Sequence, residues 1–580
     1  MAWYDQAVFY HIYPLGMTGA EKQNDYGEPK HRLNELIPWI SHIKNIGCNA
    51  IYIGPLFESV GHGYETTDYK KLDSRLGTNE DLKNYVAECH KQGIKVIFDG
   101  VFNHTGRDFF AFQDIKKNRE NSPYRDWYCN VNFYGNNEYN DGFSYENWGG
   151  YNLLVKLNQH NPAVKEYICD VIRFWVKEFD VDGIRLDAAD VLDFQYMQAL
   201  RQVANEVKPE FWLMGEVIHG DYTRWVNEGT LHSVTNYHLH KALYSGHNDH
   251  NYFEIAHTVK RLYEMGGNRP EGLKLYNFVN NHDVERIYTK LSNKKHYVPT
   301  HILMYTLPGV PSIYYGSEFG IEGKKERSSD DSLRPALNYE QYKDAAETNE
   351  CTKLIAALGK ICQNTEALSY GDYKELLLTN CQYAFARNYN GKSVIVTVNN
   401  ADGDFSMNLP AAGAAEYVGA LSGTRVPVNN GTISVNVKGN YGEIWVPAGE
   451  NAEKIEPVEV VVPVDTPVIE PLVEKAIEPV AASPVEKVVD QIVAPEPAPV
   501  AEPKAAEEKP EPKTEPKPAA ESAEPKAPVN KPIEEMTVEE LQEAILERMR
   551  RNGPVTDRMK QDVIENVYHN SLVTWLRSFN

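Results

Sequence analysis

The segment PAVKEYICDVIRFWVKEFDVDGIRLD, residues 162–187, sets a stretch able to form a helix, Pro162–Lys177, directly before a short apolar run, Gly183–Leu186. Arg185 stands inside that run and Asp187 just beyond it. The alternation repeats on both sides. Apolar, β-branched runs occur at Ala7–Tyr13, Ala50–Ile53, Lys95–Phe98, Phe211–Met214, His232–Val234, Leu275–Val279 and Val310–Tyr315. Helix-compatible stretches separate them, among them Asn79–Gln92 and Asp193–Val207. Eight strands alternating with helices over about 300 residues predict an α/β fold, a parallel (β/α)8 barrel spanning 1–375. One connection is too long for a helix alone. The aromatic- and Asn-rich stretch at about 106–158, after the third strand, is expected to form an inserted subdomain.

Beyond the barrel the pattern changes. Short alternating strands (Tyr383–Arg387, Ser393–Val398, Tyr441–Trp445) with Gly/Asn turns predict a C-terminal all-β sandwich domain over 376–448. From Asn451 to Pro532 the chain carries 17 of its 33 prolines, 17 acidic and 9 basic residues, and no aromatic residue. That composition offers nothing to bury and predicts a disordered, acidic Pro/Glu-rich linker over 449–532. A helical tail module is expected over 533–580. Thr537-x-x-Glu540 reads as a capping box before Leu541, Ile545 and Met549, and Met559, Val563, Val567 and Trp575 suggest a second helix. Two helices bury too little to stand alone, so the tail is expected to dock on a protein partner, on a second copy (self-association) or on the main body.

Composition excludes several functions. The formal charge of -23 repels a phosphate backbone, which argues against nucleic acid as a partner. No run approaches 18 uninterrupted apolar residues, so no membrane span is expected. The opening Met1-Ala-Trp-Tyr-Asp-Gln has neither a basic stretch nor an apolar core, so no signal peptide is expected. Seven scattered cysteines fit reduced thiols and a cytoplasmic location better than a disulfide framework.

Active sites of such barrels sit at the C-terminal ends of the strands. The third strand delivers Asp99-Gly-Val-Phe-Asn103-His104, the fourth Arg185 and Asp187, the fifth Glu216, and the seventh His282 and Asp283. Asp187 and Glu216 lie 29 residues apart, about one βα unit, so neighbouring strands bring both to one rim. Three carboxylates, two histidines and an arginine at one mouth suit glycosidic-bond cleavage. Its oxocarbenium-like transition state needs a carboxylate beneath the ring and a proton donor at the leaving oxygen. Arg185 would keep Asp187 ionised, and Glu216 must hold a proton near neutrality to act as donor. Any one of these residues alone is more often a cap or loop hydrogen bond; four strand ends together are not. A metal site is disfavoured because no His-x-His or His-Glu-x-x-His spacing occurs and Arg185 opposes a cation.

The segments Asp99–His104, Gly183–Asp187, Gly215–Val217 and Phe278–Asp283 resemble the four signature regions of the α-amylase superfamily, glycoside hydrolase family 13. His62-Gly63-Tyr64, Asp68-Tyr69 and Gly309–Gly316 are similar as well, and the resemblance runs from about Trp3 to Pro447. It implies Asp187 as nucleophile, Glu216 as general acid/base and Asp283 as stabiliser of the distorted sugar. It also implies Tyr64 stacking on that sugar, with His104, Arg185 and His282 on its hydroxyls. Lys156-Leu157-Asn158-x-x-x-Pro162 and Ser122-Pro-Tyr-x-Asp126-Trp127-Tyr128 look like the neopullulanase, cyclomaltodextrinase and maltogenic amylase group. This chain departs from that group at Val217-Ile218-His219, where Ile-Trp-His is usual, and at Val191, where a Glu is common. Ordinary α-amylases carry Lys-His where this chain has Asp190 and Val191.

The resemblance implies a retaining hydrolase of α-glucosidic bonds, mainly α-1,4, in maltooligosaccharides, with cyclodextrin and pullulan as further candidate substrates. No cofactor is required on this reading; Asn103 matches a calcium-ligand position. The alternatives are a 4-α-glucanotransferase using the same residues and a carbohydrate-binding or scaffold protein without turnover.

Overall fold

Residues 9, 50, 97, 212, 214, 276, 278 and 310 fall on one side of the apolar runs, and their side chains share one buried cluster. Residues of the opposite parity, such as Tyr10, Ile51, Val96, Ile184 and Leu213, belong to a larger cluster outside. A strand buried on both faces is the mark of a parallel sheet covered by helices. The computed structural model describes residues 2–449, apart from 268, 327 and 328, together with 536–552 and the single positions 563 and 576. It forms those runs into one eight-stranded sheet: β1 Phe9–Ile12, β2 Ala50–Ile53, β3 Lys95–Gly100, β4 Gly183–Leu186, β5 Trp212–Gly215, β6 Ser233–Val234, β7 Tyr276–Asn277 and β8 Val310–Tyr314. The spatial order β6-β5-β4-β3-β2-β1-β8-β7 is sequential around a ring, and every pairing is parallel. A single parallel bridge, Thr235 to Tyr276, closes it.

That seam is the thin part of the barrel. β6 and β7 are two residues each, where the sequence pattern suggested three and five. Side-chain amides take over from the ladder. Asn236 Nδ2 donates to Asn277 Oδ1 at 2.8 Å, and the Asn236 backbone N–H donates to Tyr276 O at 2.9 Å. Asn236 also caps the helix Tyr237–Asn248, its Oδ1 accepting from Leu239 N–H at 3.1 Å.

The insert after β3 starts slightly earlier than its composition suggested. His104–Thr105 pairs with Tyr151–Lys156, which pairs with Asn147–Trp148, and the helix Phe110–Asn118 lies between. Phe112, Phe143 and Tyr145 pack against one another, Phe112 edge-on to Tyr145 and the other two pairs tilted.

The C-terminal domain opens at Lys374, two residues before the expected boundary. Its large sheet has six strands, Lys374–Leu378, Gln382–Tyr389, Lys392–Asn399, Glu416–Gly419, Arg425–Pro427 and Tyr441–Pro447. Phe405–Pro410 and Thr432–Val437 form a second, two-stranded sheet. One face of the large sheet joins the barrel's outer core through Tyr383, Phe385, Val394, Val396 and Ile444. The other face meets the small sheet through Ile395, Trp445, Met407 and Ile433. The helix Tyr297–Thr306, all ten of whose residues are buried, contacts both the barrel and this sheet.

In the tail, Thr537 and Glu540 form the expected capping box at the start of a helix, Val538–Asn552. Its Leu541 and Ile545 cluster with Val563 and Leu576. The acidic linker expected over 449–532 lies, except for Gly449, outside the described residues, as do Met559, Val567 and Trp575.

Candidate active site

Side chains alternate along a strand, so inward residues two apart form layers, and the last layer is the floor of the cleft. Arg185 and Asp187 share one parity on β4. Glu216 continues the inward series of Trp212 and Met214 on β5, and Asp99 that of Ile97 on β3. Tyr52 on β2 and His11 on β1 belong to the same inward set, packed as stacked rings 4.2 Å apart.

Arg185 is the centre of this layer. Its Nη1 donates to Asp99 Oδ1 at 2.8 Å and Asp187 Oδ1 at 2.9 Å, and its Nη2 lies 2.8 Å from Glu216 Oε2. One planar guanidinium therefore holds Asp187 and Glu216 facing the same space. Ala188 N–H adds a bond to Glu216 Oε2 at 3.1 Å. Asp187 Oδ2 accepts no hydrogen bond among the described residues. Burial pushes the Asp187 carboxyl well above the usual range; Arg185 opposes this, while Glu216, Asp99 and Asp283 add like-charge repulsion. Three carboxylates thus meet one guanidinium, and the like charges repel one another across it.

Asp283 faces this cluster from beyond β7. Its Oδ2 lies 3.0 Å from His282 Nε2, and its Oδ1 is 3.0 Å from Arg334 Nη2. Burial would push Asp283 up, but His282 and Arg334 hold it well below the usual carboxylate range. Arg334 also donates from Nε to His282 O at 2.9 Å and pairs with Asp330 at 3.3 Å. The rings of Tyr13 and Tyr64 lie nearly parallel to that of His282, each centroid 5.7 Å away. The Tyr64 hydroxyl donates to Asp99 Oδ2 at 3.0 Å and contacts His282 Nε2. The preceding Gly63 has φ +101° and a Cβ there would lie 2.2 Å from Pro55 Cγ, so only glycine brings Tyr64 over the cleft this way. His104 Nε2 lies 3.1 Å from Tyr64 O, and burial pulls this imidazole down to about 3, leaving it neutral.

All seven residues expected for chemistry and sugar binding (Tyr64, His104, Arg185, Asp187, Glu216, His282 and Asp283) thus converge, through direct contacts or through Arg185, Asp99 and Tyr64. Asn103 does not join them. Its Oδ1 accepts from Gln159 Nε2 at 3.1 Å and its backbone oxygen from Leu157 N–H at 3.0 Å. No group of three His, Cys, Asp or Glu suited to a metal occurs among the described residues. Sequence reasoning missed Tyr52 and Arg334, as well as Tyr237, whose hydroxyl lies 3.4 Å from Glu216 Oε1, and Asn281, whose Nδ2 donates to that hydroxyl at 3.0 Å. Tyr52 was within reach, since it sits on β2 with the parity of inward Ala50.

The α-amylase catalytic-domain family matches residues 20–360. A cyclomaltodextrinase of Thermoanaerobacter pseudethanolicus is 33% identical over 423 residues, covering 69% of this chain and 71% of that protein. The intracellular maltogenic amylase of Bacillus subtilis is 27% identical over 420 residues, 69% of each chain. A solved structure described as a cyclomaltodextrinase superposes with a TM-score of 0.66 at 26% identity, over 76% of this chain and 78% of that one. With the sequence match reaching over most of the barrel that carries these carboxylates, the chain belongs to the α-amylase family of glycoside hydrolases.

Proposed function

We propose that this protein is a retaining α-glucan hydrolase that cleaves α-1,4 bonds in maltooligosaccharides and related starch fragments, of the cyclomaltodextrinase and maltogenic amylase type. The observation that carries the reading is the single guanidinium of Arg185 shared by Asp187 and Glu216. In the first step the free Oδ2 of Asp187 attacks the anomeric carbon. The bond to the leaving oxygen breaks as Glu216 gives that oxygen its proton. In the second step Glu216, now a carboxylate, takes a proton from water, whose oxygen displaces Asp187 from the same carbon. Two inversions leave the product with the α configuration. Asp99, which accepts from the Tyr52 hydroxyl at 2.8 Å, holds Arg185 and Tyr64 in place, while Asp283 faces the distorted ring.

Asp187→Asn and Glu216→Gln are each expected to lower turnover of maltotriose by at least about 10⁴-fold with the fold intact, and proton NMR should show the α anomer released first. A variant at wild-type rate, or a β product, overturns the reading. Chromatography of the same digest separates hydrolysis, which gives glucose and maltose, from transfer, which gives early products longer than maltotriose. No helix among the described residues is long and apolar enough to cross a membrane. Seven free thiols and the intracellular relative in Bacillus subtilis support a cytoplasmic location.

A further inference from the structure

The two oxygens of Glu216 have unlike surroundings. Oε2 receives Arg185 Nη2 at 2.8 Å and Ala188 N–H at 3.1 Å. Neither a guanidinium nor a backbone amide can accept a hydrogen bond, so Oε2 is committed as an acceptor. The transferable proton must therefore ride on Oε1. Among the described residues, the hydrogen-bond partner of Oε1 is the hydroxyl of Tyr237, at 3.4 Å.

Tyr237 does not rotate freely in that role. Its oxygen accepts from Asn281 Nδ2 at 3.0 Å. Asn281 cannot flip its amide, because its Oδ1 already accepts from the backbone N–H groups of Asp283 at 2.9 Å and Val284 at 3.1 Å. With its oxygen occupied from that side, the Tyr237 hydroxyl turns its hydrogen toward Glu216. Burial, reinforced by the charge of Glu216, holds Tyr237 well above the ordinary phenol range, so that hydrogen stays in place. The ring is fixed edge-on against Phe278, 5.0 Å away, and Tyr237 opens the helix that Asn236 caps at the barrel seam.

Resting on the acid/base assignment of Glu216, the geometry points to Tyr237, oriented by Asn281, as the positioning residue that faces Oε1, the oxygen to which Arg185 and Ala188 leave the proton by occupying Oε2. It then takes up the negative charge left on Oε1 once the proton has gone to the leaving sugar. The bond to Tyr237 strengthens as Glu216 becomes a carboxylate, so it helps in the transition state more than in the resting enzyme. Apo distances of this kind shorten when charge develops. The Tyr237 proton itself is not transferred.

Tyr237→Phe removes only the hydroxyl and keeps the ring, so its thermal midpoint should match the wild type. The test compares kcat/KM, which reports the first bond-breaking step, on two substrates. Maltotriose has a poor leaving group that needs the acid; 2,4-dinitrophenyl α-maltoside has a good one that does not. Tyr237→Phe is expected to lose about 10- to 100-fold on maltotriose and less than about threefold on the aryl maltoside. Equal losses on both, or no loss on either, overturn the inference. Glu216→Ala is measured alongside. If it shows the leaving-group selectivity and Tyr237→Phe does not, only the role of Tyr237 fails; if Glu216→Ala lacks the selectivity, the acid/base assignment itself fails.

Discussion

Arg185 carries one positive charge and meets three carboxylates, Asp99, Asp187 and Glu216, at 2.8 to 2.9 Å. A lysine there would keep the charge but lose the planar fork that reaches all three. Arg185→Lys is therefore expected to lower kcat/KM on maltotriose by at least about 100-fold, roughly 2.7 kcal/mol of transition-state stabilisation. A loss below tenfold would contradict its place as the hub. Arg334 acts on Asp283, whose carboxyl is held below its unfolded value of about 3.9. A depressed carboxylate adds stability that is fully present above that value and is lost progressively as pH falls below it, through the lower folded value. The stability gap between wild type and Arg334→Met, read by urea unfolding, should thus be widest near pH 6 and narrow below about pH 4. A gap that widens on acidification contradicts the pairing. Arg185, Asp187, Glu216 and Asp283 could be read from sequence because strand ends present polar residues at a fixed period. Arg334 and Tyr237 could not, since one lies in a loop after β8 and the other at a helix start. Neither position has a spacing rule that ties it to the cleft.

Among the elements, helices with explicit caps were the most legible. Asn79–Lys91 starts one residue after Thr78, which exchanges bonds with Asp81 in a capping box, and ends within one residue of its expected position. Thr78→Ala should cost about 1 kcal/mol in urea unfolding; no measurable cost would mean that packing alone holds this helix. The short strands were less legible. β7 was drawn too long because its apolar run continues to Val279, whereas the strand ends at Asn277, whose side chain pairs with Asn236; β6 was drawn one residue early, at His232. Tyr297–Thr306 carries no Asp, Glu, Lys or Arg, and a helix without a charged face signals burial on every side. Its two neighbours, barrel and sheet, explain that composition.

At the scale of the molecule, the large sheet of the C-terminal domain shares its core with the barrel, and Arg387 ties them together. This guanidinium, 1% exposed, donates to the backbone oxygens of Thr306 at 2.8 Å, Asp372 at 2.9 Å and Gly371 at 3.0 Å. A chain ending at Tyr373 would bare that apolar face and is expected to aggregate on expression. A chain ending at Gly449 retains every residue of the cleft and should keep the wild-type kcat/KM on maltotriose. The reverse result, a well-behaved shorter chain or an inactive longer one, would mean the domain boundary is misplaced. The order of barrel, insert and sandwich was legible because each part changes the period of the apolar pattern. How the ring closes was not, because one bridge and an amide pair leave no periodic trace. That closure has a practical outcome. Backbone amides at 233–236 and 276–277 should exchange with deuterium sooner than those of the central β2, β3 and β4. Since Tyr237 follows Asn236 directly, mild heating should silence the enzyme while its far-ultraviolet helical signal is still whole.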